Sequence, residues 1–389
     1  MNSFSFNTTS SVICETGAVK NLAAYASNLS ISRVMLVTDA GLVAAGICDP
    51  VLDSLKQGGI SVELFTDVVA DPPEELVLKA AEIAKANNID GVIGLGGGSS
   101  MDVAKLIAIL TVSDQPLSEM YGIDNVKPNK VKGGRLPLIQ IPTTAGTGSE
   151  VTAISIITTG GTTKAGVVSK PLLPDLAVLD AELTAGLPAH VTAATGIDAM
   201  VHAIEAFTTK HKKNVYSDML AKQALELMSA NIVEAVHNGS NLEARSNMLL
   251  GSMLAGQAFC NAPVAAVHAL AYPIGGHYHI PHGLSNALVL TQVLKFNAPD
   301  AAHLYAELLP HIADGKTATD ATVGCEAFIA TIEDLIDKVE LPKQLREVDV
   351  PEADLPMLAS DAMLQTRLLV NNPRELTEAD VLAIYKAAY

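Results

Sequence analysis

Two hydrophobic rhythms divide the chain. Through the first 185 residues, short apolar runs rich in β-branched residues alternate with amphipathic stretches of helical period. Arg33–Thr38, Ser61–Phe65, Gly91–Leu95 and Leu136–Ile141 read as buried strands, and Leu176–Leu179 as a last short one. Between them, Leu42–Gln57 reads as a helix stopped by Gly58-Gly59, a second helix opens at Asp71-Pro72-Pro73 and runs to Asn87, and a third follows Ser99 to about Leu110. Alternating strands and helices imply a parallel sheet covered on both faces, with ligands at the carboxyl ends of the strands. From about Leu187 the strand signals fade. His190-Val-Thr-Ala-Ala opens a series of long amphipathic patterns, among them Asp218–Val236, Leu242–Phe259 and Asp320–Val339. The expectation is an α/β domain at 1-185, Rossmann-like in its parallel sheet, followed by an all-helical domain at 186-389.

Composition narrows the function classes. Hydrophobic residues make up 49% of the 389 positions, charged residues 17%, and Trp is absent, so the cores must be mainly aliphatic. A formal charge of −17 argues against nucleic acid as a partner, because phosphate contacts need clustered Lys and Arg. No uncharged apolar stretch reaches the roughly 18 residues a spanning helix needs, so no membrane partner is expected. Met1-Asn-Ser-Phe-Ser-Phe6 shows no basic region followed by an apolar run, the mark of a signal peptide. Cys14, Cys48, Cys260 and Cys325 are widely spaced with no C-x-x-C pair, which fits neither a disulfide framework nor a cysteine zinc site and suits a reducing cytoplasm.

Candidate chemistry gathers in a few segments. Gly94-x-Gly96-Gly97-Gly98-Ser99 lies between a strand and a helix, where backbone without Cβ atoms can approach a pyrophosphate and the helix amides can bind it. The spacing is not G-x-G-x-x-G. Ser99-Ser-Met-Asp102 is also patterned like a capping box. The loop Thr143–Glu150 follows another strand with four hydroxyl residues and two glycines, suited to phosphate and ribose oxygens. Asp39, ending the first strand, can accept from a ribose 2′-hydroxyl and repel a 2′-phosphate, favouring NAD over NADP.

Four of the ten histidines fall within the 17 positions Val267–Gly283. Upstream, Asp198 and His202 are four residues apart and share a helix face. A carboxylate and an imidazole from that helix, with His268 and His282 from the later run flanking a glycine-proline turn, would close a ring around one divalent metal, Fe²⁺ or Zn²⁺ rather than Mg²⁺ or Cu⁺. No activated Ser or Cys nucleophile stands out.

These motifs together resemble the iron-dependent (group III) alcohol dehydrogenase family over nearly the whole chain. The resemblance rests on Gly96-Gly-Gly-Ser-x-x-Asp102-x-Ala-Lys105, Pro142-Thr-Thr-Ala-Gly-Thr-Gly-Ser-Glu-Val-Thr152, Thr195-Gly-x-Asp198-Ala-x-x-His202-Ala-x-Glu205, and His268 with Pro281-His282-Gly283. It implies metal ligands at Asp198, His202, His268 and His282. It implies nucleotide contacts at Asp39, Gly97, Gly98, Ser99, Asp102, Thr143, Thr144, Thr147, Ser149 and Lys164. The implied fold is a nucleotide-binding α/β domain and a helical metal domain, dehydroquinate synthase-like, with the site in the cleft between them, and the implied assembly is a homodimer or larger. The implied reaction is NAD-linked hydride transfer between a small primary alcohol and its aldehyde, the metal polarising the substrate oxygen. The same scaffold also serves glycerol-type dehydrogenases, hydroxyacid–oxoacid transhydrogenases, and a non-redox NAD- and metal-retaining lyase or synthase. One position departs from the pattern: Tyr272 stands where many members carry a further histidine. Tyr272 or His277 is the candidate accessory group in its place.

Overall fold

In a computed structural model the described residues are 3–129, 134–160 and 163–389, which leaves Met1 and Asn2 of the N-terminal reading outside them. The chain forms two compact units. One contains Asn7–Thr144 and Gly148–Ala185, and the other contains 3–6, Ala145–Thr147 and Gly186–Tyr389.

The first unit is built on β1 (Ser11–Cys14), α1 (Leu22–Asn28), β2 (Arg33–Val37), α2 (Ala40–Ala44), α3 (Asp49–Gln57), β3 (Ser61–Phe65), α4 (Glu74–Ala86), β4 (Gly91–Gly96), α5 (Gly98–Leu110), β5 (Gly122–Ile123), β6 (Leu138–Pro142), β7 (Ile154–Thr159), β8 (Thr163–Val168) and β9 (Leu176–Leu179). Six strands form one sheet in the order β1-β9-β6-β4-β2-β3, every pair parallel. Side chains alternate between its faces. Met35, Val37, Val92 and Leu138 enter one core with α4 and α5, whereas Val34, Leu36, Ile93, Ile139 and Val178 enter another with α1 and α3. Burial on both faces is why these strands read as continuous apolar runs.

From β2 the chain steps outward to β3, then crosses back to β4 on the other side. Strand order therefore reverses between β2 and β4, and Asp39, the glycine turn and the threonine loop leave the same edge of the sheet at the ends of β2, β4 and β6.

Three features differ from the sequence expectation. The helix expected at Leu42–Gln57 is two helices, interrupted where Gly46 takes φ +72° and Pro50 enters the first turn of α3. β1, an exposed edge strand, carries no strong apolar run. A separate three-stranded sheet, β5-β8-β7, was also not anticipated. Its strands are short or half-polar, so their pairing is set by packing rather than by pattern.

The second unit is helical: α6 (Ala189–Thr208), α7 (Val215–His237), α8 (Leu242–Asn261), α9 (Ala266–Tyr278), α10 (His282–Leu308), α11 (Ala321–Lys338), α12 (Leu355–Met363), α13 (Thr366–Leu369) and α14 (Glu378–Ala387). α6 is buried along nearly its whole length and packs against α7, α8 and α10. Small residues permit this closeness: a Cβ at Gly196 would meet Ile232 and Met248 at 2.9 Å. The histidine-rich run was expected to form a glycine-proline turn, but Pro273, Gly275 and Gly276 all lie inside α9. The turn is confined to residues 279–281, where His279 ends α9 at φ 55° and Pro281 precedes α10. Burial of the Ala266–Ala271 face outweighs the weak helix propensity of those residues. No single described helix is long and apolar enough to cross a membrane.

Candidate active site

The second unit assembles the ionisable cluster from three helices. Asp198 and His202 project from one face of α6, His268 lies one turn into α9, and His282 is the first residue of α10. The three imidazole Nε2 atoms surround one oxygen, Asp198 Oδ1, at 4.0 Å (His202), 3.8 Å (His268) and 3.7 Å (His282). These separations are too long for hydrogen bonds. They approach the ~3–3.5 Å between neighbouring ligands on one metal whose bonds are ~2.1 Å.

Two of the three imidazoles are held at their remote nitrogen. Glu205, one turn beyond His202 on α6, takes His268 Nδ1 at 2.6 Å. A carboxylate acceptor there places the imidazole proton on Nδ1 and leaves Nε2 as a lone pair. That Nε2 is buried and has no hydrogen-bond partner. His202 Nδ1 lies 3.2 Å from the Gly146 carbonyl, which fixes its tautomer in the same sense. The His202 ring also stacks on Phe259 and His268 at 4.3 and 4.7 Å. Asn286, one turn after His282, donates to Asp198 Oδ1 at 2.6 Å.

The electrostatics suit a cation. Burial pushes His202 down to about 3, so it stays neutral near pH 7. Burial works to raise the Asp198 carboxyl, but the surrounding imidazoles and the Asn286 amide outweigh it, and Asp198 titrates below its ordinary value. Asp198 and Glu205 are both buried beside these imidazoles, and a divalent ion held in the cluster would offset the negative charge they bring to a dry interior. An unsatisfied buried imidazole nitrogen costs about 1–3 kcal/mol, a cost a metal bond removes. The donor set fits Fe²⁺ or Zn²⁺.

The cluster opens on one side. Asp198, His202 and His268 are buried, but the His282 side chain is 43% exposed, and the Tyr272 ring lies 5.8 Å from it. Burial raises the Tyr272 hydroxyl, opposed by Arg367. His277 turns instead to Asp361 on α12, 2.6 Å from its Nε2, and His279 caps α9, so neither joins the cluster. Of the two accessory candidates, only Tyr272 adjoins it.

In the first unit, Gly96 takes φ +148°, and a Cβ there would meet Ser100 Oγ at 2.7 Å. Gly97 is the N-cap of α5, with no side-chain cap, and residues 97–99 are partly exposed. The capping box expected at Ser99–Asp102 does not form, because the helix begins two residues earlier and Asp102 faces elsewhere. Its Oδ1 accepts from Ser149 Oγ at 2.6 Å and its Oδ2 from the Ile156 amide at 2.8 Å. Lys105, fully buried, donates to Ser149 Oγ (2.7 Å), Thr152 Oγ1 (3.1 Å) and the Ile154 carbonyl (2.6 Å). The Thr143 amide bonds the Gly96 carbonyl at 3.0 Å, which sets the threonine loop beside the glycine turn. Thr144 and Thr147 are half-buried, whereas Thr143 and Ser149 are buried. Asp39 Oδ1 caps α2 through the Leu42 amide at 3.0 Å. Lys164, on β8, is ion-paired with Asp71.

Sequence reading passed over Glu205, Asn286, Lys105 and the Gly146 carbonyl as working parts. Helical spacing pointed to two of them: Glu205 is three residues after His202, and Asn286 four after His282. Lys105, three residues after Asp102, entered only as part of a motif, and nothing local marked the Gly146 carbonyl.

Comparison with known proteins agrees with this architecture. Residues 9–181 match the family described as iron-containing alcohol dehydrogenase, and 192–389 the C-terminal part of the Fe-containing alcohol dehydrogenase family. The chain is 42% identical over 373 residues to long-chain-alcohol dehydrogenase 1 of Geobacillus thermodenitrificans (strain NG80-2), covering 96% of this chain and 93% of the relative. It is 36% identical over 380 residues to sulfoacetaldehyde reductase of Bilophila wadsworthia (strain 3_1_6), covering 96% of each. Among solved structures, a 1,3-propanediol oxidoreductase superposes with a TM-score of 0.94 at 33% identity, and an alcohol dehydrogenase from Oenococcus oeni with 0.94 at 31%, each over 100% of both chains.

Proposed function

The chain belongs to the iron-containing alcohol dehydrogenase family, and we propose that Asp198, His202, His268 and His282 are its metal ligands. It is an oxidoreductase that interconverts alcohols and aldehydes with NAD, and its metal is iron, with zinc fitting the same donors. The observation that carries the ligand assignment is the buried, unpartnered His268 Nε2, aimed at the oxygen that the other imidazoles also surround. When bound, the metal supplies Lewis acidity that polarises the substrate oxygen. Asp198 contributes the charge that holds it, and Glu205 and Gly146 keep two imidazoles in the ligating tautomer. His282 and Tyr272 border the open side, where a small primary alcohol would approach.

For the nucleotide, we assign 1-185 as the binding domain and 186-389 as the metal domain. The uncapped amides of Gly97, Gly98 and Ser99 take the pyrophosphate at the start of α5. Thr144 and Thr147 offer hydroxyls to phosphate or ribose. Thr143, Asp102 and Ser149, engaged internally, hold the loop in shape. Asp39 accepts from the ribose and disfavours NADP. Lys164 must leave Asp71 to reach a phosphate. The four widely spaced cysteines, with no C-x-x-C pair, support a cytoplasmic location, and the exposed edge of β1 supports a homodimer or larger assembly.

The test combines metal analysis of anaerobically purified protein with NADH formation from a panel of primary alcohols, glycerol and 4-hydroxybutyrate. His268→Ala should lose both metal and NADH formation. Full activity with unchanged metal content would remove the ligand assignment.

A further inference from the structure

α9 begins without a cap of its own. Its N-cap residue is Ala265, which has no side-chain acceptor, yet the first amides of this helix are buried. A helix start left so would carry unsatisfied N–H groups in a dry interior, each costing about 1–3 kcal/mol.

The missing acceptor comes from another helix. Glu205 Oε2 accepts from the Ala265 amide at 3.0 Å, and Oε1 from the Val267 amide at 2.6 Å. The same Oε2 takes His268 Nδ1 at 2.6 Å. The Glu205 side chain is 5% exposed, so these three donors replace its water. Asp198, His202 and Glu205 lie at i, i+4 and i+7 of α6, on one face. One face of one helix therefore carries a carboxylate and an imidazole of the cluster and also the group that fixes both the position and the tautomer of a third member.

We propose that Glu205 is a positioning residue for the metal centre, docking the N-terminus of α9 onto α6 and holding His268 as the Nδ1–H tautomer with Nε2 aimed at the metal. This rests on His268 being a ligand, as assigned above. The carboxylate is required for its chemistry as much as its size. An amide at this position keeps one acceptor oxygen for three donors. Turned one way, its N–H faces the Val267 amide and the docking of α9 weakens. Turned the other way, it faces the Ala265 amide and His268 Nδ1, which favours the Nε2–H tautomer that cannot ligate.

Zinc alone, titrated into the metal-stripped full-length protein against a competing chelator, tests this without relying on turnover. Glu205→Gln should weaken zinc binding about 10–100-fold. In a His268→Ala background the same change should alter zinc affinity by less than about threefold, because its route to the metal is already gone. If Glu205→Gln does not fold, Glu205→Asp keeps the charge and shortens the arm, and it should bind zinc more weakly than the native chain while losing that defect in the His268→Ala background. Native zinc affinity in the folded variant overturns the proposal. So does an equal loss in both backgrounds, which would show that Glu205 acts through the fold at large. His268→Ala retaining native zinc affinity would instead remove the ligand assignment, so the two failures are told apart.

Discussion

Gly283, directly after His282, provides the sharpest test of how the metal centre is held. A Cβ built there would lie 2.8 Å from the Ala194 carbonyl carbon and 3.2 Å from Asp198 Cβ, and would overlap the Ala194 carbonyl oxygen. Carbon atoms in contact sit about 3.5–4.0 Å apart, so Gly283→Ala must open α10 from α6 by about 0.7 Å or more. Both obstacles belong to α6, and one is backbone, so no side-chain rotation relieves them. Such overpacking costs about 1–3 kcal/mol, offset by about 0.5–1 kcal/mol from replacing a helical glycine. The net loss expected in metal-free protein is between about 0 and 2.5 kcal/mol, read by chemical denaturation. The larger effect falls on the metal. His282 moves with Gly283, and metal sites tolerate only about 0.2 Å in ligand position, so zinc affinity should fall by at least about tenfold. Gly276→Ala is the control: it lies in the same histidine-rich run, inside α9, and a Cβ there meets nothing within 4 Å. It should leave zinc binding unchanged and stabilise by about 0.4–1 kcal/mol. Native zinc affinity in Gly283→Ala, or equal damage from Gly276→Ala, would refute the close approach of α6 and α10 as the reason for glycine.

Three further outcomes are expected. Lys105→Met should destabilise the protein by about 1–3 kcal/mol, because the Ser149, Thr152 and Ile154 oxygens lose their shared donor and the half-buried Asp102 loses its cation, and it should weaken NADH binding measured by fluorescence titration. Glu150 is raised by burial to about 7 from 4.5, so the folded state holds a proton that the unfolded state releases between those values. That stabilisation is fully present below pH 4.5 and lost as pH rises through 7; Glu150→Gln should therefore flatten the pH dependence of denaturation and add up to about 3 kcal/mol at pH 8. Asp39→Asn keeps an acceptor for the Leu42 amide and removes the charge, so the ratio of kcat/KM for NAD over NADP should fall about tenfold with little change in melting temperature.

The parallel sheet was legible because its strands are buried on both faces, which writes uninterrupted apolar runs into the sequence. The Asp198–His202 spacing was legible because a helix turns side chains four apart onto one face, whatever surrounds it. What the amino-acid order could not supply were contacts across long separations. Glu205 lies 60 residues before the Ala265 amide it caps, and Asn286 lies 88 residues after Asp198. Local pattern also misjudged the run from Val267 to Gly283. Proline and glycines suggested a turn, but all three lie inside α9, whose buried first half anchors the helix, and the turn forms only where His279 takes a left-handed conformation. His277 and His279 consequently leave the cluster, and Tyr272 stays beside His282. Sequence alone thus determined which residue types were available and on which helix faces. Tertiary packing decided which nitrogen of His202 and of His268 faces Asp198 as a lone pair, because that depends on the acceptor brought to the other side of the ring by a distant part of the chain.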